Sequence, residues 1–207
     1  GWPVFPVHSI TSEFECSCNP RTEEEKEKCS PGKHPRTPNG LKDASTDPEV
    51  IKAWWTKYPG ANIGISTEGF VILDVDPGHG GDESLEILQS RHGVLPSTFT
   101  VRTGGGGRHF YFKNSGEPLR NTTEFDKLKG LDLRGDGGYV VSPPSNHIAG
   151  DTYEVLVEER LAEVPDWIRA IRNRKLPPPV IGNGEAGKIP EGMRDATLFT
   201  MASSMRG

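Results

Sequence analysis

The stretch FVILDVDPGHGG (residues 70–81) joins an apolar run directly to a pair of acids. The run is typical of a buried strand, and the Pro-Gly pair that follows the acids is typical of a strand end. Asp74 and Asp76 lie two positions apart, so both side chains point to one face of the strand while Val75 points to the other. Neighbouring carboxylates repel each other unless a cation lies between them. The stretch therefore predicts a metal site, or a strand end that turns acidic where it reaches solvent.

A glycine-rich loop interrupts a second strand-like segment, TFTVRTGGGGRHFYFK (98–113). The pattern predicts two strands joined by Gly104–Gly107, with His109 close behind the loop. Glycine permits the close approach of a ligand, and free backbone N–H groups in such loops bind phosphate oxygens. No Gly-Lys-Ser/Thr follows, so this is not a Walker loop. The alternative is a flexible hairpin tip, with His109 as a half-buried strand residue.

A third acid lies in GLDLRGDGGYVVSPPS (130–145), which predicts another pair of strands around residues 135–138. Asp132 stands between two leucines, so it is the one acid on the polar side of an apolar strand. Arg134, two residues on, lies on the same side. Asp136 falls in the Gly-Asp-Gly-Gly turn, where a turn role is the default. We expect Asp74, Asp76 and Asp132 to bind two Mg²⁺ or Mn²⁺ ions, the arrangement that catalyses nucleotidyl transfer.

All three cysteines lie in the segment 11–40, which has no periodic apolar pattern of its own. Together with His34, Cys16, Cys18 and Cys29 form a set suited to tetrahedral structural Zn²⁺. The alternatives are unlinked thiols, or a phosphate-binding role for His34 with Lys33. A disulfide between Cys16 and Cys18 would be strained. The charged run RTEEEKEK between the cysteines is expected to extend into solvent.

Composition excludes some classes of protein. The chain has 207 residues and a net charge of −5, so the overall basic charge of a protein that coats duplex nucleic acid is missing, although an enzyme that holds a strand locally remains compatible. No apolar run is long enough to span a membrane, and we identify no signal peptide. An odd number of cysteines favours a reducing compartment, so we expect a cytoplasmic protein.

The predicted elements indicate an α+β fold with mixed, hairpin-rich sheets flanked by helices. STDPEVIKAWWTKYP (45–59) predicts a capped amphipathic helix, and further helices are expected in 82–93 and 164–174. We assign residues 1–175 to one domain, 176–187 to a linker, and 188–207 to the truncated start of a helical region. The chain begins in a strand-like segment and ends within a helical pattern, so we interpret it as part of a longer protein.

The order of these motifs resembles the archaeo-eukaryotic primase superfamily, and most of all its bifunctional primase-polymerase (Prim-Pol) branch. The similarity covers nearly all of residues 1–165, including WPVFPV, CSC…CSPGKHP, WWTKYPGANIGI, VILDVD, RTGGGGRHFYF and GLDLRGDGGYVVSPPSNH. It implies a primase core of the RRM-like type, with an inserted zinc-binding segment. It also implies a host such as a bacterium or archaeon carrying a plasmid, phage or prophage.

The resemblance also implies roles for single residues. It assigns Asp74, Asp76 and Asp132 to the metals and His109 to the triphosphate. Where the family often has Ser two positions before the His, this chain has Gly107. Thr103, or the N–H groups of the loop, would then replace that hydroxyl. The remaining candidates for nucleotide contacts are Gly104, Gly105, Gly106, Arg134, Asn62 and Ser145.

The function that we expect is a DNA primase-polymerase. It would make and extend primers on single-stranded DNA from dNTPs or NTPs, with a helicase module possible in the same full-length chain. One alternative is a metal-dependent nuclease or phosphohydrolase that uses the same acids. The other is a non-catalytic, zinc-bearing nucleic-acid-binding module, which would leave the acids and the loop unexplained. The glycine loop with His109 favours the nucleotidyltransferase.

Overall fold

The computed structural model describes residues 1–173. The predicted linker and the C-terminal helical region therefore lie outside the described residues. Within residues 1–173, no helix is both long enough and apolar enough to cross a membrane.

The described chain folds into nine strands and four helices, besides short 3₁₀ turns. The strands are β1 (Val4–Val7), β2 (Asn62–Ser66), β3 (Phe70–Val75), β4 (Thr100–Arg102), β5 (Arg108–Lys113), β6 (Leu131–Arg134), β7 (Tyr139–Ser142), β8 (Glu154–Val157) and β9 (Ala162–Glu163). The helices are α1 (Glu23–Lys28), α2 (Pro48–Lys57), α3 (Gly81–His92) and α4 (Asp166–Arg172).

The strands form two sheets. The smaller has the antiparallel order β1-β2-β7, and the larger has the antiparallel order β6-β3-β5-β4-β8, with β9 parallel to β5. This confirms the α+β class with helix-flanked sheets. Strand β3 is central to the site because it pairs with β5 on one side and β6 on the other.

Of the two strand pairs predicted around glycine-rich turns, only β4 with β5 is a hairpin. The turn at Glu68-Gly69 carries the chain from β2 in the small sheet to β3 in the large one, and residues 135–138 carry it back from β6 to β7. Two hydrogen bonds join these connections: the Thr67 hydroxyl donates to the carbonyl of Gly135, and the Gly69 N–H donates to Asp136. The apolar patterns give strands correctly but do not distinguish a hairpin from a crossing between sheets.

The large sheet separates two apolar clusters. On one face Val71, Leu73 and Val75 of β3 pack with residues of α3 and α4. On the other face Ile72 belongs to a cluster that includes Phe5 and other residues of the small sheet. Val75 is fully buried, as predicted, and side-chain alternation places Asp74 on the face of Ile72. Asp74 therefore lies on the face of β3 that packs against the small sheet, next to the apolar cluster between the two sheets.

The helix ends follow the predicted signals. Asp47 caps α2 through a hydrogen bond from the Glu49 N–H, with Pro48 in the first turn, and Gly93 ends α3. The prediction for RTEEEKEK was incomplete, because part of this run forms the exposed helix α1. Thr22 and Glu25 form a capping box at its start, which explains why so polar a segment is helical.

Candidate active site

Asp74 lies in the middle of a row of polar residues that crosses three strands. In the sheet register it is opposite Asp132 of β6 on one side and His109 of β5 on the other. The His109 Nε2 lies 3.4 Å from the Asp74 Oδ1. The two predicted acids on different strands are therefore direct cross-strand neighbours, a relation that the sequence alone does not give.

Arg134 lies between these two acids. Its guanidinium donates to the Asp132 Oδ2 at 2.6 Å and lies 3.7 Å from the Asp74 Oδ2. The positive charge offsets the repulsion between the carboxylates. Burial acts to raise the pKa of the Asp74 carboxyl, but His109, Arg134 and Lys33 outweigh burial through hydrogen bonding and charge, so the pKa lies below its usual value.

Asp76 lies just beyond the end of β3 and is held differently. Its Oδ1 accepts from the Gly78 N–H at 2.9 Å, and its Oδ2 lies 2.8 Å from the His79 Nδ1. The side chain is 53% exposed, against 24% for Asp74. Asp76 therefore faces solvent more than its neighbour, yet the three acids line one cleft. The lining residues are Lys33, Asp74, Asp76, His79, Glu124, Lys129, Gly130, Asp132 and Arg134.

The acids offer the right chemistry for Mg²⁺ or Mn²⁺, since carboxylate oxygens are the ligands these ions prefer. Within residues 1–173, however, the one tight group of three or more candidate ligands is the cysteine-histidine set. Arg134 and His79 now hold oxygens of the acids. The donor set fits divalent metal, which would compete with these two side chains for the acid oxygens.

The glycine loop is a tight turn at the tip of the β4–β5 hairpin. The Gly106 N–H donates to the Thr103 carbonyl, and the Gly107 N–H donates to the Thr103 hydroxyl at 2.9 Å. In the described part of the chain, the N–H groups of Gly104 and Gly105 have no hydrogen-bond partner. Gly105 is exposed and lines the cleft with Asp74, so its N–H group is open to a ligand, whereas Gly104 is buried against His147. The N–H groups of Gly106 and Gly107 serve the turn.

Gly107 is explained by close packing against β3. A Cβ at this position would lie 2.5 Å from the Val75 carbonyl oxygen, so a serine does not fit without a backbone shift. The same Cβ would lie 3.1 Å from the Thr103 hydroxyl oxygen. The Thr103 hydroxyl is therefore a neighbour of position 107, and its replacement of a serine hydroxyl there stays a prediction.

His109 is buried, with 5% of the residue exposed. Its Nε2 faces Asp74, and its Nδ1 has no partner among the described residues. It still lines a cleft shared with Asp74, Asp76 and the glycine loop. This placement is compatible with a nucleotide contact through the ring edge, and equally with the alternative of a strand histidine that supports Asp74.

Asn62 and Ser145 line none of the three clefts that contain Asp74. The Asn62 amide nitrogen donates to the carbonyls of Gly32 and Asn146, and its oxygen accepts from the Asn146 N–H. The Ser145 hydroxyl accepts from the Ile63 N–H. Asn62 and Ser145 are both buried. These contacts favour a positioning role for each residue over the nucleotide contact that was predicted.

The four predicted zinc ligands come together. One ligand atom from each of Cys16, Cys18, Cys29 and His34 lies within 4.8 Å of all the others, and the Cys18 and Cys29 sulfurs are 3.5 Å apart. Zn–S bonds of about 2.3 Å at a tetrahedral centre place two sulfurs about 3.7 Å apart. The spacing and the donor set therefore fit zinc, and the cysteines are free of disulfides.

The surroundings of this group also suit a cation. Burial, with Cys16 and Cys29 adding to its effect, raises the pKa of the Cys18 thiol to about 12. A metal ion would compensate the negative charge that this environment disfavours. The His34 Nδ1 lies 3.0 Å from the Ser30 carbonyl oxygen, which leaves Nε2 for the metal, and the His34 ring stacks on His8.

Two residues near Asp74 were not predicted as parts of its site. Lys33 precedes the zinc ligand His34 in the Pro-Gly-Lys-His-Pro stretch, and His147 follows Ser145. Both line the cleft that holds the glycine loop, Asp74 and His109. Their presence in stretches that carry the family resemblance was the available signal, but nothing in the spacing of the sequence placed either residue near Asp74.

The fold and the site define a class of α+β protein in which acids at the end of an antiparallel strand face a glycine-rich hairpin. Residues 1–167 match the family model for the bifunctional DNA primase/polymerase N-terminal domain, Prim-Pol, and the chain belongs to this family. Membership confirms the resemblance, and it implies a nucleotidyltransferase of the DNA primase/polymerase kind with DNA and nucleotides as substrates. A search of the curated proteins finds no match.

Proposed function

We propose that this domain makes and extends primers on single-stranded DNA by template-directed transfer of nucleotides from dNTPs or NTPs. The observation that carries the proposal is the row of Asp132, Asp74 and His109 across three adjacent strands, with the glycine loop at the tip of the His109 hairpin. The acids and the loop that we propose to bind phosphate are neighbours, which suits a metal–triphosphate substrate.

Asp74, Asp76 and Asp132 are the proposed ligands of the catalytic metals. When bound there, two divalent ions would activate the attacking 3′-hydroxyl and stabilise the leaving pyrophosphate. Asp74 is ionised for this role, since its pKa lies below the usual value. Arg134, released from Asp132, would be free to contact the nucleotide. No side-chain nucleophile is needed, because the 3′-hydroxyl itself attacks the α-phosphate.

The glycine loop is the proposed seat of the triphosphate. The N–H group of the exposed Gly105 has no partner among the described residues and can donate to a phosphate oxygen, and Gly104 beside it sets the course of the loop. The Thr103 hydroxyl accepts from the Gly107 N–H and retains its own proton for a further donation. His109 follows on the same hairpin. Gly106 and Gly107 contribute mainly by shaping the turn.

The zinc segment is proposed to be structural. A closed set of three cysteines and one histidine leaves no open position for a substrate, so zinc would fold residues 11–40 and help them hold the template. We also propose that the enzyme is encoded by a plasmid or phage and acts in the cytoplasm of a bacterial or archaeal host. A helicase module in the same full-length chain belongs to this proposal.

The experiment that tests the proposal also separates it from a nuclease. Purified protein is incubated with a labelled primer annealed to a longer template, Mg²⁺ or Mn²⁺, and dNTPs or NTPs. We expect the primer to lengthen, and to stop one position before the first template base whose complementary nucleotide is omitted. Shortening of the primer, with no extension under any metal, would favour the phosphohydrolase alternative instead.

A further inference from the structure

Lys33 occupies a central position over the acids, although it belongs to the zinc segment. Three neighbouring clefts meet at Asp74, and Lys33 and Asp74 are the two residues that line all three. One cleft contains Asp76 and Asp132, and another contains the glycine loop. Lys33 therefore borders both the acids and the loop.

Hydrogen bonds fix the backbone on both sides of Lys33 to residues in or next to the three strands of the small sheet. The Gly32 carbonyl accepts from the Asn62 amide, the Lys33 carbonyl accepts from the Tyr139 hydroxyl at 2.8 Å, and the His34 carbonyl accepts from the His8 N–H. The His34 ring belongs to the zinc-ligand set. These contacts fix the main chain at Lys33 while its side chain stays exposed above the cleft.

The ammonium group of Lys33 is available for a ligand. In residues 1–173 it makes no ion pair and no hydrogen bond. Lys33 nevertheless belongs to the site, because it lines one cleft together with Asp74 and His147. A lysine that is held by its backbone, free at its tip and surrounded by acids is suited to an anion that arrives together with metal.

We infer that Lys33 binds the triphosphate of the incoming nucleotide, and that the zinc segment acts on catalysis by presenting this lysine. The inference rests on the proposed function and adds to it a residue and a role for zinc. The triphosphate is favoured over template phosphates because Lys33 lines both the cleft that holds the three acids and the cleft that holds the glycine loop, the two places that a metal-bound triphosphate would contact.

The test compares Lys33→Ala with Lys42→Ala. Lys42 is an exposed lysine shortly after the zinc segment that lines none of the three clefts, so it controls for the loss of one positive charge. Two measurements are made: equilibrium binding of dNTP in Ca²⁺, and KM for dNTP and for primed template in extension. Zinc content is measured for every variant.

For Lys33→Ala we expect dNTP binding to weaken and KM for dNTP to rise by about 10- to 100-fold, the range for a hydrogen bond to a charged group. KM for template and zinc content should be unchanged, Lys33→Arg should recover part of the loss, and Lys42→Ala should match the wild type. Unchanged dNTP binding, or a rise in KM for template alone, would overturn the inference while leaving the proposed function intact. If wild-type protein binds dNTP but never extends a primer, the proposed function is refuted. The role of Lys33 in dNTP binding is then decided by the binding measurement alone.

Discussion

At the scale of the residue, the stretch FVILDVD shows what a sequence pattern can and cannot predict. Alternation along β3 correctly places Val75 in the core and separates it from Asp74. Alternation cannot say which residues lie beside Asp74 on other strands, because the register of β5 and β6 is set by contacts far apart in the sequence. The opposing positions of Asp132 and His109 therefore emerge only from the fold.

Gly107 gives a prediction about stability. Gly107→Ala should lower the free energy of unfolding by about 1–3 kcal/mol, because its Cβ would lie 2.5 Å from the Val75 backbone oxygen, which cannot rotate away. Gly105→Ala is the matched control: its Cβ would meet the His147 ring at 3.3 Å, and a side chain can yield. Chemical denaturation of both variants measures the difference. Equal stability of the two would show that the hairpin tip does not pack against β3 as described.

At the scale of the element, the strands and helices were predictable but their assignment to sheets was not. Asp47, Pro48 and Gly93 mark helix ends through local chemistry, and the predicted ends are found. The exits from β2 and β6 look like hairpin turns in the sequence, yet both lead into the other sheet. A short turn joins either arrangement, and the choice depends on which apolar faces meet.

The zinc segment contributes a residue to the site, and only part of that contribution was predictable from the sequence. Its ligands were predictable from residue type and spacing, whereas the position of Lys33 was not. That position depends on the Asn62 amide and the Tyr139 hydroxyl, which lie far along the chain. A sequence pattern does not show which distant residues form such hydrogen bonds, so the position of Lys33 is known only from the fold.

The link between zinc and Lys33 predicts a non-additive pair of substitutions. Protein purified without added metal should contain about one zinc per chain, and Cys29→Ser should lose it, because three ligands no longer close the site. Loss of zinc frees His34, the chain neighbour of Lys33, so Lys33 should no longer be held in place and should lose its effect on dNTP binding. The double variant Cys29→Ser/Lys33→Ala should then bind dNTP no more weakly than Cys29→Ser alone.

Metal analysis and dNTP titration of the four proteins check this prediction. Wild-type protein without bound zinc would contradict the assignment of the site. Additive losses in the double variant would show that Lys33 keeps its position without zinc, so the segment would have to influence the enzyme in another way.

At the scale of the whole molecule, the site is the open end of the layer between the two sheets. The apolar cluster that contains Ile72 and residues of the small sheet fills this layer, and Asp74 continues it along β3. The zinc segment and the glycine hairpin add Lys33 and the loop N–H groups to the same opening. Net charge of the chain is −5, so its contacts with nucleic acid must be local.

The central claim is that Asp74 serves metal-dependent nucleotide transfer and not the fold. The most direct measurement is the single-turnover rate of primer extension by Asp74→Asn, a substitution that keeps the shape of the side chain and removes its charge. The control is Asp166→Asn, which removes an exposed acid at the start of α4. We expect the rate of Asp74→Asn to fall by at least about 1,000-fold, a loss of about 4 kcal/mol in transition-state stabilisation. The control should extend at the wild-type rate, and both variants should keep the wild-type thermal midpoint within a few degrees. Extension by folded Asp74→Asn at a rate close to that of the control would contradict the account.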